Sequence, residues 1–377
     1  MDKTNTTQQS KLHSVDSLFK PFTLGKLELS NRIVMAPMTR SFSPDGVPGP
    51  DVAAYYRRRA ENGVGLIVTE GTLIDHPAAT GDPNVPNFHG EKALEGWANV
   101  VAAVHEAGGR IVPQLWHVGM TRRNGSLPHP EAPSIGPSGR TLKGDQLNEP
   151  MTKEDIDQVI RAFAQAAADA KRIGFDGIEI HGAHGYLIDQ FFWERTNQRT
   201  DEYGGSMIAR TRFAAEIVKA CRLAVGPDFP IILRMSQWKT AQYEAKLAST
   251  PEELKQFLEP LVEAGVDIFH CSTRRFWEPE FEGSKLNYAG WVKKLSGKPT
   301  ITVGSVGLDE EFLGAFQGKG AGLADLNELL ERLDDEEFDL VAVGRALLVD
   351  PAWASKVREG QFDKLVPYDG EALKTLY

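Results

Sequence analysis

The sequence predicts an α/β chain folded as a (β/α)8 TIM barrel in a single domain. Three observations carry that expectation. Eight short apolar runs recur, at residues 32–37, 65–70, 110–116, 175–181, 230–236, 267–272, 299–304 and 339–344. Most of them do not alternate in polarity, which is how strands buried on both faces of a parallel sheet read. Stretches with helical apolar spacing separate the runs, and several stop at a glycine just before the next one (Gly108, Gly174, Gly265), as helix C-termini do. Eight strands alternating with helices favour a closed barrel over an open sheet. A barrel of this class accommodates all 377 residues as one domain.

Taken in order, residues 1–15 are rich in Thr, Gln, Ser and Lys and are expected to be a disordered tail. Residues 16–377 are expected to form the barrel domain. Residues 22–30 (FTLGKLELS) precede the first strand and read as a short hairpin plugging the barrel floor. Thr152-x-x-Asp155 resembles a capping box, and the helix after it places Ile156, Val159, Ile160, Phe163 and Ala167 on one face. Residues 208–223, 251–264 and 323–333 show the same spacing. Two segments look inserted. Residues 121–150, rich in Pro, Gly and Ser, are expected to cover part of the active-site face, and the irregular 236–249 to shape the pocket. No internal repeat appears beyond the βα alternation.

Composition narrows the function. A net charge of −10 argues against nucleic acid or an anionic membrane surface as partner, since both require a basic patch. Cys221 and Cys271 are the two cysteines, too far apart for a CxxC motif or a disulfide framework. The first 17 residues lack the apolar segment of a secretory signal, and no run of about 18 apolar residues could span a bilayer. The expectation is a cytoplasmic protein.

In this fold, chemistry gathers at the C-terminal ends of the strands. Those ends carry Thr39, Gly71, Gln114 with Trp116, His181 with His184 and Tyr186, and Arg234. The last two strands end in Gly304-Ser305 and Gly344-Arg345. Glycines there let backbone N–H groups approach a phosphate, and Arg345 can add a charge-assisted contact. No GxGxxG follows a first strand. The sharpest feature is His181-Gly182-Ala183-His184-Gly185-Tyr186. Two imidazoles can hold a substrate oxygen and a phenol can deliver a proton. Structural histidines are the bland alternative. A metal site is poorly supported, because HxxH stands here without further spaced ligands, so no metal is expected. Arg234, ending an apolar strand, calls for a buried acceptor or anion. Trp116, Phe276 and Trp277 read as pocket walls, while His117, His129 and His270 show no role.

These segments resemble the Old Yellow Enzyme family of FMN-dependent ene-reductases, which includes the 12-oxophytodienoate reductases. The resemblance spans residues 18–351 and is densest at 174–206 (GFDGIEIHGAHGYLIDQFFWERTNQRTDEYGGS). Asn31-Arg32 leading into MAPMTR, Gln114-Leu115-Trp116-His117 with Gly119, Arg234-Met235-Ser236 and Gly344-Arg345 support it.

The resemblance implies FMN contacts at Ala36, Pro37, Met38, Thr39 and Gly71, with His181 bordering the ring. Gln114 would meet the pyrimidine side, Arg234 the N1 and C2-carbonyl end, and Thr39 the C4 carbonyl. Gly304, Ser305, Gly344 and Arg345 would hold the phosphate. His181 and His184 would grip the oxygen of an α,β-unsaturated carbonyl or nitro substrate, with Trp116 and Trp277 beside it. Tyr186 would supply the proton in a ping-pong cycle fed by NADPH or NADH. Small-molecule activated alkenes are the implied partners of a monomer or homodimer.

His184 stands where some members carry Asn, and Thr39 where another subgroup carries Cys. Met207-Ile208-Ala209 replaces the usual Leu-Glu-Asn, and the stretch 308–338 is longer than usual. Relatives with an iron–sulfur cluster and an appended dinucleotide domain fit poorly with two cysteines and an end at Tyr377. A flavin-free (β/α)8 hydrolase or phosphate-binding module remains the alternative.

Overall fold

The computed structural model describes residues 14–311 and 320–377. The expected tail therefore lies outside the described residues up to position 13. Its last two residues are ordered into the fold: Ser14 Oγ accepts the Asp16 N–H at 3.2 Å and caps a 3-10 turn, Val15–Phe19.

Next comes the antiparallel hairpin of β1 (Phe22–Leu24) and β2 (Leu27–Leu29). Its tight turn uses Gly25 at φ +57°, a conformation that favours glycine. The eight strands of the barrel are β3 (Ile33–Met35), β4 (Leu66–Leu73), β5 (Arg110–Trp116), β6 (Ile178–His184), β7 (Ile231–Lys239), β8 (Ile268–Ser272), β9 (Thr300–Val303) and β10 (Leu340–Val343). They pair in parallel and in chain order, and β10 closes onto β3 through Val341 opposite Ile33. The closed eight-stranded barrel is the predicted fold.

Helices α1 (Pro50–Glu61), α2 (Glu91–Glu106), α3 (Lys153–Ile173), α4 (Leu187–Phe192) and α5 (Met207–Val225) lie on the first half. Helices α6 (Pro251–Ala264), α7 (Tyr288–Ser296), α8 (Asn327–Asp334), α9 (Arg345–Val349) and α10 (Trp353–Arg358) follow. The capping box of α3 forms in both directions between Thr152 and Asp155, and Gly174 ends the helix in the left-handed conformation at φ +99°. Its buried face is Ile156, Val159, Phe163, Ala166, Ala167 and Ala170, with Ile160 only half-buried. Helix α8 starts later than the apolar spacing suggests. Leu323 is drawn into a backbone bridge with Leu308 and Ala321 into one with Tyr368, so helical pairing begins only at Asn327.

The hairpin does plug the floor. Leu27 and Leu29 are buried in one cluster with Val34, Leu66, Val112, Ile232, Ile268, Ile301 and Leu340, the inward residues of seven strands. Burying each of these leucines is worth about 1.5–3 kcal/mol. Above that layer the barrel interior turns polar, with Gln114, Glu179, Arg234 and His270 all buried. Among the described residues no helix is long and apolar enough to cross a membrane.

Candidate active site

Every barrel strand except β4 contributes to one cavity of about 340 Å³ at the C-terminal end of the barrel, a size suited to a small-molecule site. The β3 end supplies Ala36, Pro37, Met38 and Thr39, and β5 supplies Gln114 and Trp116. His181, His184 and Tyr186 come from β6, and Arg234, Trp238 and Thr240 from β7. Ser272 and Arg274 follow from β8, Gly304 and Ser305 from β9, and Gly344 and Arg345 from β10.

Three residues expected at the site, Gly71, Phe276 and Trp277, are not on the cavity wall. Gly71 lies within β4, and a Cβ there would meet the Trp116 ring at 2.3 Å. Its missing side chain makes room for the indole that walls the cavity. Trp277 packs edge-on against Phe276 at 5.1 Å between ring centroids, and its carbonyl accepts from Arg332 of α8 at 3.0 Å. Segment 121–150 also stays off the wall. It packs behind the motif, with Leu142 close against Gly185. Segment 236–249 does shape the pocket, because β7 runs on to Lys239 and carries Trp238 in with it.

The loop after β3 is pinned from below. Glu70 Oε2 accepts the Arg40 N–H at 2.9 Å and the Ser41 N–H at 3.2 Å, directly after Thr39. Burial pushes the Glu70 carboxyl up to about 7, against the pull of those two amides.

The β6 end is held in an unusual shape. His184 has φ +66°, left-handed for a residue with a side chain. Ser236 Oγ accepts its N–H at 2.9 Å, and its carbonyl accepts the Thr240 hydroxyl at 3.0 Å. A fully buried ion pair, Lys239 to Asp189 at 2.8 Å, reinforces the bend, and Asp189 also accepts the Gly185 N–H at 2.7 Å.

The two imidazoles are not equivalent. His181 Nδ1 accepts the Ala183 N–H at 3.3 Å, so the proton of its neutral ring sits on Nε2. His184 Nε2 pairs with Ser272 Oγ at 2.8 Å, and its ring stacks on Trp238 at 4.4 Å. Burial, joined by the charge of Arg234, holds both rings well below the usual histidine range, so both are neutral at pH 7.

Tyr186 stands edge-on to Trp116 at 4.9 Å and to His181 at 5.0 Å. Burial raises its phenol above the ordinary value, against the pull of Arg234, and it stays protonated. The Arg234 guanidinium is nine-tenths buried, and its Nε has no hydrogen-bond partner among the described residues. An unpaired buried cation is costly, so this arrangement suits an acceptor-rich or anionic ligand in the cavity.

The far end suits a phosphate. Gly304 has φ +149°, and a Cβ there would meet Thr273 Oγ1 at 2.6 Å, so glycine lets the β9 end lie against the β8 end. At Gly344 a Cβ would find nothing nearer than Met38 Sδ at 3.6 Å. The protein itself does not fill that space. Arg345 donates to the Glu310 and Glu311 carbonyls beside it. Arg274 joins this rim with its guanidinium over the Tyr243 ring at 4.5 Å.

Residues 17–364 match the NADH:flavin oxidoreductase / NADH oxidase family. The chain belongs to it. A NADH oxidase of Thermoanaerobacter brockii is 37% identical over 360 residues, covering 93% of this chain and 52% of the relative. The chain thus spans about half the length of that protein. A putative 12-oxophytodienoate reductase 2 of Oryza sativa subsp. japonica is 35% identical over 340 residues, covering 89% of this chain and 85% of the relative.

Among solved structures, morphinone reductase in complex with tetrahydroNAD superposes with a TM-score of 0.79 at 30% identity, over 94% of this chain and 93% of that one. Old Yellow Enzyme from Pichia sp. AKU4542 gives 0.77 at 26% identity, over 95% and 90%. The protein is a member of the Old Yellow Enzyme family.

Proposed function

We propose that the protein reduces the C=C bond of α,β-unsaturated carbonyl or nitro compounds, with FMN as resident cofactor and NADPH or NADH as reductant. One observation carries this reading: His181, His184 and Tyr186 border the same cavity as the unpaired Arg234. Arg234 and Gln114 would hold the pyrimidine end of FMN and the 36–39 loop its ring. Gly304, Ser305, Gly344 and Arg345 would hold its phosphate. FMN held there would supply the two-electron hydride chemistry that links the nicotinamide to the alkene.

The remaining steps fall to side chains of this chain. His181 donates its Nε2 proton as a hydrogen bond to the substrate oxygen and draws electron density off the alkene. His184 adds a second donor through Nδ1 when the Ser272 hydroxyl donates to Nε2. Both act as neutral donors, so the grip does not depend on protonation near pH 7. Tyr186 Oη delivers the proton to the α-carbon. It needs no lowered pKa, because the developing enolate carbon is basic. Trp116 and Trp238 wall the substrate and exclude water.

Purification and anaerobic titration test the reading. The expected result is one FMN per chain, bleached by NADPH or NADH and reoxidised by members of a panel of enones, maleimides and nitroalkenes. A colourless protein that takes up no FMN on reconstitution overturns it in favour of the flavin-free barrel. So does reduced flavin that no alkene reoxidises.

A further inference from the structure

Glu179 lies one turn of the pleat below His181 on β6 and is fully buried. Its carboxylate joins three strands. Oε1 accepts the Gln114 amide of β5 at 2.8 Å, and Oε2 accepts His270 Nδ1 of β8 at 2.7 Å. An ionised carboxylate can only accept, so both partners are fixed by it. Gln114 must spend an amide N–H downward, which leaves its carbonyl oxygen for a donor in the cavity. His270 must carry a proton on Nδ1. No hydrogen bond from a described residue competes for the Gln114 side-chain oxygen, Oε1.

The same carboxylate acts on Arg234, the unpaired cation at the cavity, which sits beside His270 in the β7–β8 register. Both charges are buried, so solvent screens their attraction poorly. The titratable and charged groups facing Glu179 are His270 from β8, Arg234 from β7 and, next along its own strand, His181. Burial pushes Glu179 up, but His270, Arg234 and the Gln114 amide outweigh it, and the group is ionised at neutral pH.

We propose that Glu179 is a positioning residue for the flavin end of the site. It orients Gln114 and offsets the charge of Arg234, and so holds the reduction potential of bound FMN below the value Arg234 alone would set. The inference rests on the FMN reading above. Negative charge gathers at the pyrimidine end of the ring on reduction. A fixed guanidinium there favours the reduced form, and a carboxylate behind the guanidinium opposes it. The balance leaves electrons easier to pass to an alkene.

The test is the two-electron midpoint potential of the FMN-loaded protein, equilibrated with reference dyes. Glu179→Gln keeps the shape and removes the charge. It should shift the oxidised–reduced equilibrium at least tenfold toward reduced flavin, about 30 mV for a two-electron couple. Glu179→Asp, which restores the charge, should return close to wild type. A Glu179→Gln potential equal to or below wild type overturns the proposal.

If Glu179→Gln does not fold, His270→Leu answers the same question. Stripped of a donor, the carboxylate takes up a proton more readily, so the variant potential should rise above wild type as pH falls and rejoin it at high pH. A gap of zero at every pH overturns the proposal. Absence of FMN from the wild-type protein instead defeats the function proposed above, so the two failures are distinct.

Discussion

The floor and the mouth of this barrel are made from the same strands and obey opposite rules. At the floor, Leu27 and Leu29 of the hairpin close over Val34, Leu66, Val112, Ile232, Ile268, Ile301 and Leu340, all buried and all apolar. One pleat repeat higher, the inward positions of β5, β6, β7 and β8 are Gln114, Glu179, Arg234 and His270. Orphaned polar atoms occur at this upper level, on Arg234, His270 and Trp116. The apolar plug of the floor packs without a polar partner. Two of the residues with orphaned atoms, Arg234 and Trp116, line the cavity, where natural sequences give up local stability for function.

The contrast breaks most visibly through one substitution at each end. Arg234→Leu leaves Glu179 as a buried charge with less compensation. It should cost about 3–5 kcal/mol and abolish FMN retention, read by thermal denaturation and the ratio of flavin to protein absorbance. Leu29→Ala should cost about 2–5 kcal/mol through the cavity it opens, yet every folded molecule should keep its flavin with an unaltered spectrum. Flavin loss in proportion to stability loss at both ends would erase the distinction.

Glu70 sharpens it through pH. Its ordinary value is 4.5 and burial raises it to about 7 in the folded protein. The folded state therefore binds the proton more tightly than the unfolded chain, and stability falls as pH rises from 4.5 to 7. The loss amounts to about 3 kcal/mol from this group. Glu70→Gln should flatten that slope in denaturant titrations at a series of pH values.

Smaller effects follow. Gly71→Ala forces its Cβ into the Trp116 ring and should cost about 1–3 kcal/mol, with a raised enone KM and little change in nicotinamide oxidation. At the outer floor, Lys26 pairs with Asp228 at 3.1 Å with both side chains largely exposed. Lys26→Ala should leave stability within about 0.5 kcal/mol.

The same contrast explains what could be read from the chain. Strands announce themselves because a strand buried on both faces is apolar throughout, as β8 (IFHCS) and β10 (LVAV) nearly are. Thr39, Gln114, His181, Arg234 and Arg345, all on the cavity wall, stand out in the chain as polar residues within or just after apolar runs. Trp238 was hidden, since β7 continues three residues past the end of its apolar run and the indole sits on that extension. Glu179 and His270 were hidden differently. Their partners lie on other strands, 65 and 91 residues away from Glu179, and no local pattern links them. Gly71 misled because a glycine at a strand end suits a ligand contact, whereas its actual neighbour is Trp116. Trp277 misled because an aromatic near the rim reads as wall, although α8 holds it elsewhere.

The central claim, that the mouth assembles a proton donor opposite a flavin, is tested most directly by Tyr186→Phe in stopped-flow. Its hydroxyl is the only atom removed, and it makes no hydrogen bond with the described residues, so the fold should not move. Flavin bleaching by NADPH or NADH should match wild type, while reoxidation by an enone slows roughly a hundredfold to ten-thousandfold. Reoxidation at the wild-type rate would contradict the account.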